Sequence, residues 1–457
     1  MEKRVTILGA GESGTGAALL AKAKGYTVFV SDYGQIKEEH KSTLKENSIE
    51  WEEGKHSMDI IKNSDLVIKS PGIPFTVPVV RELQGLGVEV IDELEFAFRH
   101  TNAKIIAITG TNGKTTTTLL TYHLLKEAGL NVGLAGNVGH SLAKQVIEDE
   151  CDYYVVEISS FQLDGTVDFK PHIAILLNIT PDHMDRYEYS LDKYADSKFS
   201  IVKNMDQGDH FIYYSGNELI DKEVGRRSIE ATLYPVDLMR SNDLAAYFEN
   251  GEMTFESSRQ ESIIIDQSET VLKGKHNAIN MLMAIEAALL LEVTERDIRS
   301  GLKTFKNAAH RMEYVATIND VEFVNDSKAT NVDAVKYALD SFSQPLVWIA
   351  GGVDKGNDYN LIMDSVNERV KTLVCLGKDN TRLRDAFHNQ IINLLESDNM
   401  KDAVKSALEY SEAHDVVLLS PACASFDLFN NYEDRGDQFK RAVLELKAEF
   451  ESKSISQ

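Results

Sequence analysis

The stretch ITGTNGKTTTT, residues 108–118, most narrows what this chain can fold into. An apolar run over 104–109 reads as a buried strand. It breaks at a glycine-bearing turn, and a lysine then opens a threonine-rich helix. Strand, turn and helix in that order aim backbone N–H groups at one point, which suits an anion. Gly110, Thr111, Asn112, Gly113, Lys114, Thr115 and Thr116 would surround a phosphate chain. Lys114 would reach its terminal phosphates, and the Thr115 hydroxyl is placed to meet Mg2+. One glycine of the usual pattern is missing: position 108 is isoleucine, so the turn is anchored at Gly110. Motors, switches, kinases and carboxylate-activating enzymes all use such loops, and the loop alone does not choose among them.

The rest of the chain repeats the alternation of apolar strand and helix, the pattern of an α/β protein with parallel sheets. Three blocks emerge, at 1–93, 94–306 and 307–457, each with its own strand–glycine–helix opening. In the first, strand Val5–Leu8 leads into GAGESG (Gly9–Gly14), and the next strand ends at Asp32. Strand Asp65–Lys69 is followed by SPGIP. In the second, strands Tyr153–Ile158 and Ile173–Leu177 end in polar residues, residues 205–270 read as a peripheral elaboration of short strands and turns, and Asn277–Leu291 is a buried helix. In the third, strands Val321–Val324, Leu346–Ala350, Thr372–Leu376 and Val416–Leu419 lead into NDSKATN, GGVDKG, GKDN and SPACAS. Polar residues and glycines gather where strands end, the edge at which open α/β sheets bind ligands.

GAGESG with Asp32 fits a dinucleotide fingerprint, in which the glycines admit a diphosphate and the acid holds a ribose. A nicotinamide cofactor, a nucleotide-sugar and an empty tight turn all remain open on that motif. Glu157 ends a hydrophobic strand downstream of the phosphate loop, where a second contact to Mg2+ belongs; a carboxylate in a polar network is the plainer alternative. LNITPDHMDR crowds Asn178, Asp182, His183, Asp185 and Arg186 together. His183 there is a metal ligand, an acid/base or a cap. With Thr115 and Glu157 at neighbouring strand ends, a ligand to a second metal is the better reading, since two metals clamp both sides of a phosphoryl transfer. Lys198 reads as a solvated helix lysine on its spacing. Asn277 and Asn280 open the Ala-rich helix, where N-capping would explain the first. Arg311, in HRME, stands at a block boundary and would reach a nucleotide or bridge domains.

Composition closes several doors. Hydrophobic residues make up 43% and charged residues 26% of 457, an ordinary globular balance with room for several domains. The net charge of −24 argues against nucleic acid or an anionic membrane surface as partner. Three scattered cysteines build no disulfide framework and point to a reducing compartment. No signal peptide and no membrane-spanning run is legible, so a cytoplasmic protein is expected.

Taken in order, GTNGKTTT, EISSFQL, LNITPDHMDR, KHNAIN, HRME, NDSKATN and SPACASFD resemble the Mur ligases of peptidoglycan synthesis. The resemblance covers essentially the whole chain, and DSKATN with SPACASFDLFNNYEDRGDQF is similar to the members that add D-glutamate. It implies three domains: a Rossmann-like N-terminal domain for a UDP-sugar, a central P-loop ATPase domain with a parallel sheet, and a Rossmann-like C-terminal domain for the amino acid. It implies transfer of D-glutamate to UDP-N-acetylmuramoyl-L-alanine through an acyl phosphate, with ATP and two Mg2+ and with domain closure. Ser13, Asp32, Gly72, Asn137 and His183 would meet the UDP-sugar. The phosphate loop with Asn277, Asn280, Arg311, Asp326 and Lys328 would serve ATP, and Thr330, Lys355, Ser425 and Tyr432 would hold D-glutamate. Thr115, Glu157 and His183 would hold metal, joined by Lys198 as a carbamate, a role that rests on the resemblance alone. Lys114, Glu157, His183, Lys198 and Lys328 are the implied catalytic set, and the enzyme is expected to be a monomer. Tyr432 departs from a phenylalanine usual in the family. Glu12 is unexpected so near an anionic ligand. The rivals account for less: an NAD-dependent oxidoreductase leaves the phosphate loop idle, an ATP-driven switch leaves the third block idle, and a folylpolyglutamate synthase has no separate UDP-binding domain.

Overall fold

Runs such as Arg4–Leu8, Lys104–Thr109 and Leu346–Ala350 are buried nearly end to end, as strands of a parallel sheet covered on both faces must be. In the computed structural model, which describes residues 3–256, 262–342 and 344–455, such strands form three sheets. The first runs in space Glu50–Glu53, Thr27–Asp32, Arg4–Leu8, Leu66–Lys69, Glu89–Asp92, all parallel. Its order reverses between Arg4–Leu8 and Leu66–Lys69, so the ligand crevice of a doubly wound sheet opens between GAGESG and SPGIP.

The second sheet has nine strands. Lys104–Thr109 lies third from one edge, flanked in parallel by Tyr153–Glu157 and Ile173–Leu176. Register places Ile108 beside Glu157 and Thr109 beside Leu176, so the phosphate loop, Glu157 and the segment after Leu176 leave the sheet at one edge. The short strands expected in 205–270 are peripheral, and they are built onto the sheet itself. Strand His210–Tyr214 pairs in parallel with Ile173–Leu176, and Thr232–Asp237, Ala246–Glu249, Glu252–Phe255 and Ile263–Asp266 continue the same sheet outward. The expected buried helix spans Lys275–Leu290, and Ala278, Met281, Leu282, Ile285 and Ala288 are buried along it.

The third sheet has six strands, parallel except for Glu313–Ile318, which returns as a hairpin against Val321–Asn325. The chain divides into two compact units: Met1–Val271 with Ala278–Phe305, holding the first two sheets, and Leu272–Asn277 with Lys306–Gln457, holding the third. No helix among the described residues is long and apolar enough to cross a membrane.

Candidate active site

The phosphate loop is tightly specified. Helix Lys114–Glu127 starts at Gly113, whose φ of 85° is left-handed, and no side chain caps it. That end therefore points backbone N–H groups and a positive partial charge into the turn. A Cβ on Gly113 would lie 2.4 Å from Asn280 Oδ1, which also accepts from Thr117 Oγ1. Asn178 fastens the other side. Its Oδ1 accepts from the N–H groups of Thr111 (3.1 Å) and Asn112 (2.8 Å), and its Nδ2 donates to Asn112 O. Thr111 Oγ1 donates to Thr180 O. Lys114 turns back on the loop and donates to the carbonyls of Gly110 (2.8 Å) and Thr111 (2.7 Å). Thr115 and Thr116 are buried in the first helical turn.

A left-handed position and a close neighbour both forbid a side chain at 113. Gly113→Ala is expected to raise the KM for ATP about tenfold, as the loop shifts to relieve roughly 1–2 kcal/mol of backbone strain, and to lower the melting temperature by a few degrees. Steady-state kinetics against ATP checks it.

Lys198 corrects its reading as a solvated residue. It is 1% exposed, its Nζ donates to Gly110 O at 2.8 Å, and it stands over the Tyr194 ring. Burial holds its ammonium well below the ordinary lysine range, and Lys114, sharing the same carbonyl, adds to this against the weaker pull of Asp182 and Asp164. Glu157 is 5% exposed, and its Oε2 is buried with no hydrogen-bond partner among the described residues. A buried carboxylate oxygen without a donor suits a hard cation. No three His, Cys, Asp or Glu side chains converge among the described residues. Mg2+ fits here as an ion held by a carboxylate, a hydroxyl and nucleotide phosphates, its common mode in phosphoryl transfer.

His183 is half-exposed with a left-handed φ of 52°. Its ring lies 5.1 Å from Phe161 and its Nε2 lies 3.7 Å from Asp182. Asn137 donates its N–H to Glu157 O.

At the N-terminal turn, a Cβ on Gly14 would strike Gly9 O at 1.9 Å, so the helix packs directly on the turn. Asp32 is engaged with backbone: its carboxylate accepts from Ala10 N (2.7 Å) and Gly34 N (2.8 Å). Glu12 is drawn aside into an ion pair with Lys144 at 2.8 Å. Burial raises its pKa, but the Lys144 bonds outweigh that and the net shift is downward. Its charge is thus answered by a lysine rather than facing a ligand alone. Ser13 is half-buried in the first turn of helix Glu12–Ala23, and Gly72 O accepts from Arg186.

In the second unit the strand ends gather the expected residues into one cluster of loops. Asp326 is buried, accepting from Ser420 Oγ and Met312 N, and burial pushes its carboxyl up to about 7 despite those bonds. Lys328 donates to the Tyr432 hydroxyl at 2.7 Å and lies over that ring. The Tyr432 hydroxyl therefore gives Lys328 an oxygen partner. Lys355 is exposed on a loop shaped by Asp354, which accepts from Gly356 N and Asn357 N. Ser425 is buried and Thr330 half-buried. Arg311 sits between two left-handed residues, His310 and Met312. Asn277 does not cap its helix; it lies inside the first turn and donates to Lys273 O.

Sequence reasoning gave no task to Asn178, which holds the phosphate loop, and missed Arg435. Arg435 is 1% exposed and donates to Ser327 Oγ and to the carbonyls of Ser327, Gly351 and Cys423, binding three ligand-edge loops together.

Three family models match this chain: the MurD N-terminal domain over 4–77, the Mur ligase middle domain over 108–288, and the glutamate ligase domain of Mur ligases over 310–423. The UDP-N-acetylmuramoylalanine–D-glutamate ligase of Cytophaga hutchinsonii is 48% identical over 448 residues, 98% of this chain and 100% of the relative. The chain is a Mur ligase. The enzyme of the same name from Christiangramia forsetii is also 48% identical, over 98% of this chain and 100% of its own length. Among solved structures, the UDP-N-acetylmuramate–alanine ligase of Thermotoga maritima has the same fold, with a TM-score of 0.61 over 98% of this Mur ligase and 100% of that chain at 17% identity. Membership leaves no room for the oxidoreductase reading of GAGESG.

Proposed function

We propose that this Mur ligase joins D-glutamate to the carboxylate of UDP-N-acetylmuramoyl-L-alanine, with ATP as phosphoryl donor. The observation that carries this is the 48% identity to ligases of that name along the whole chain. Residues 1–93 take the UDP-sugar, through Ser13, Asp32, Gly72 and Asn137. Residues 94–306 supply the phosphate loop, and residues 307–457 the amino-acid site of Thr330, Lys355, Ser425 and Tyr432. Asn277, Asn280, Arg311, Asp326 and Lys328 serve ATP.

A carboxylate is a poor acyl donor, because oxide would have to leave. Its oxygen attacks the γ-phosphorus of ATP, ADP departs, and the acyl phosphate has phosphate as a leaving group. The D-glutamate amine then attacks the carbonyl carbon, gives up a proton, and phosphate leaves. Lys114 exchanges its loop carbonyls for phosphate oxygens, and the loop N–H groups hold the rest. Two Mg2+ fit this scheme, one at Thr115 and Glu157 and one at His183 with the carbamate of Lys198. When bound, such ions neutralise phosphate charge and polarise the transferring group.

The deciding assay is phosphate release from ATP and Mg2+ with UDP-N-acetylmuramoyl-L-alanine across D-Glu, L-Glu, L-Ala and meso-diaminopimelate. Turnover is expected with D-Glu alone. Turnover with any of the others but not with D-Glu overturns the reading.

A further inference from the structure

The segment 178–186 touches two ligand loops at once. At one end Asn178 fastens the phosphate loop through the N–H groups of Thr111 and Asn112. At the other end Arg186 donates from Nη1 to Gly72 O and from Nη2 to Pro71 O, both at 3.3 Å. Those carbonyls belong to SPGIP, the loop on one side of the first sheet's switch point. Ser70 of that loop donates its N–H to Leu8 O and its hydroxyl to Gly9 O. The turn Gly9–Gly14 and the loop 70–74 are therefore one platform, and Arg186 grips its edge from the central sheet.

Three further observations say this grip is built. The guanidinium carbon lies 4.6 Å from the Phe161 ring centroid, so a cation–π contact holds it as well as hydrogen bonds. Phe161 also contacts His183, the two rings tilted by 59° with centroids 5.1 Å apart, so guanidinium, phenyl ring and histidine lie in sequence against one another. Between the two anchors His183 holds a left-handed backbone that a non-glycine residue adopts only at a cost, and such strain gathers at working sites. Of the nearby acids, Asp92 pairs through Oδ1 with Lys69 at 2.5 Å, and Asp164 accepts from Ser197 Oγ and Tyr187 OH. Among the described residues Arg186 forms no salt bridge; two carbonyls and a ring hold its guanidinium, with a longer-range attraction to buried Asp92.

We propose that Arg186 is a positioning residue for the nucleotide half of the substrate: it holds the Pro71–Gly72 edge of the UDP-binding platform in register with the phosphate loop, through the segment that Asn178 anchors. The UDP moiety is thereby placed at a set distance from the centre where its carboxylate is activated. This rests on the UDP-muramoyl substrate proposed above.

The test is Arg186→Met and Arg186→Lys, with kinetics for each substrate and calorimetric binding of UDP alone, which needs no turnover. Arg186→Met is expected to raise the KM for the UDP-sugar about tenfold and to weaken UDP binding to match, with the KM values for ATP and D-glutamate within about twofold of wild type. Arg186→Lys keeps a charge but loses the planar fork, so it recovers only part. A substrate shortened to 1-phospho-N-acetylmuramoyl-L-alanine, lacking uridine, is expected to distinguish wild type from variant far less. Unchanged UDP binding, an equal rise in the KM for ATP, or an equal loss with the shortened substrate overturns the proposal. If Arg186→Met does not fold, Arg186→Lys and Phe161→Leu decide by the same readouts. Wild-type protein that binds no UDP refutes the substrate assignment instead.

Discussion

Lys198→Ala is expected to lower kcat by about a thousandfold, and Lys198→Met, which fills the same space without a charge, should melt no lower than wild type. The two effects share one cause. Lys198 is enclosed beside the phosphate loop, and burial, reinforced by Lys114, favours its neutral amine. A neutral amine adds to CO2, forming an N–C bond and releasing one proton, to leave a carbamate anion. A carboxylate-like group at this position would answer the Lys114 ammonium and give an oxygen ligand to a metal. Alanine removes that group. Formate or acetate at high concentration is expected to restore part of the activity, because a free carboxylate enters the space left behind. Absence of rescue removes the carbamate and leaves the ligase assignment standing. The stability sign follows from the same downward shift. Below the ordinary lysine pKa of about 10.4, the unfolded chain binds a proton that the folded amine resists, so Lys198 destabilises the fold there. In CO2-free buffer, where the amine stays uncarbamylated, Lys198→Met should therefore raise the melting temperature at neutral pH. The gain should shrink as pH rises through the unfolded pKa. Melting curves of wild type and Lys198→Met from neutral to alkaline pH check this, and a variant that melts lower at neutral pH refutes it.

Much of the central architecture was legible because strands buried on both faces leave continuous apolar runs. Leu346–Ala350 and Val416–Leu419 appear with the expected bounds. Edge strands carry no such run. Glu50–Glu53, sequence EWEE, pairs on one side only and carries one apolar residue, Trp51, among three acids, so no apolar run announces a strand. Asn393–Ser397, sequence NLLES, lies at the edge of the third sheet and is only half-buried, so its short apolar pair does not stand out. The outer strands of 205–270 are short, and their continuity with the central sheet depends on pairing with Ile173–Leu176, which no local pattern encodes.

At the site, the strand-end positions of the phosphate loop and Glu157 follow from the alternation itself. Lys198 is a different lesson. Leu191, Tyr194, Ala195 and Val202 trace an apolar stripe at helical spacing, and Lys198 falls on it. Tyr194, Ala195 and Lys198 are indeed buried together. A charged residue on a core stripe is a readable signal, and reading the helix by local charge alone obscures it. Arg435 offers no such signal. Its helix opens YEDRGDQF, polar at every turn, and its burial comes from three loops folding over it.

Glu157→Gln is expected to lower kcat by about a hundredfold or more and to raise the Mg2+ concentration for half-maximal rate by at least about tenfold. The reason lies in one oxygen. Glu157 Oε2 is buried beside the phosphate loop with no donor, an arrangement that costs several kcal/mol for a lone carboxylate in a protein interior. A cation removes that cost, so the unbound protein carries the penalty and the metal-bound one does not. Glutamine is isosteric, loses the charge, and offers Mg2+ only a neutral carbonyl oxygen. The substitution should therefore raise stability without metal and nucleotide while weakening the response to Mg2+. Melting curves with and without Mg2+ and a non-hydrolysable ATP analogue separate the two. Wild type should gain more from the additions than Glu157→Gln. An equal gain in both, with an unchanged Mg2+ requirement in the activity assay, would show that Glu157 serves the fold and not the metal.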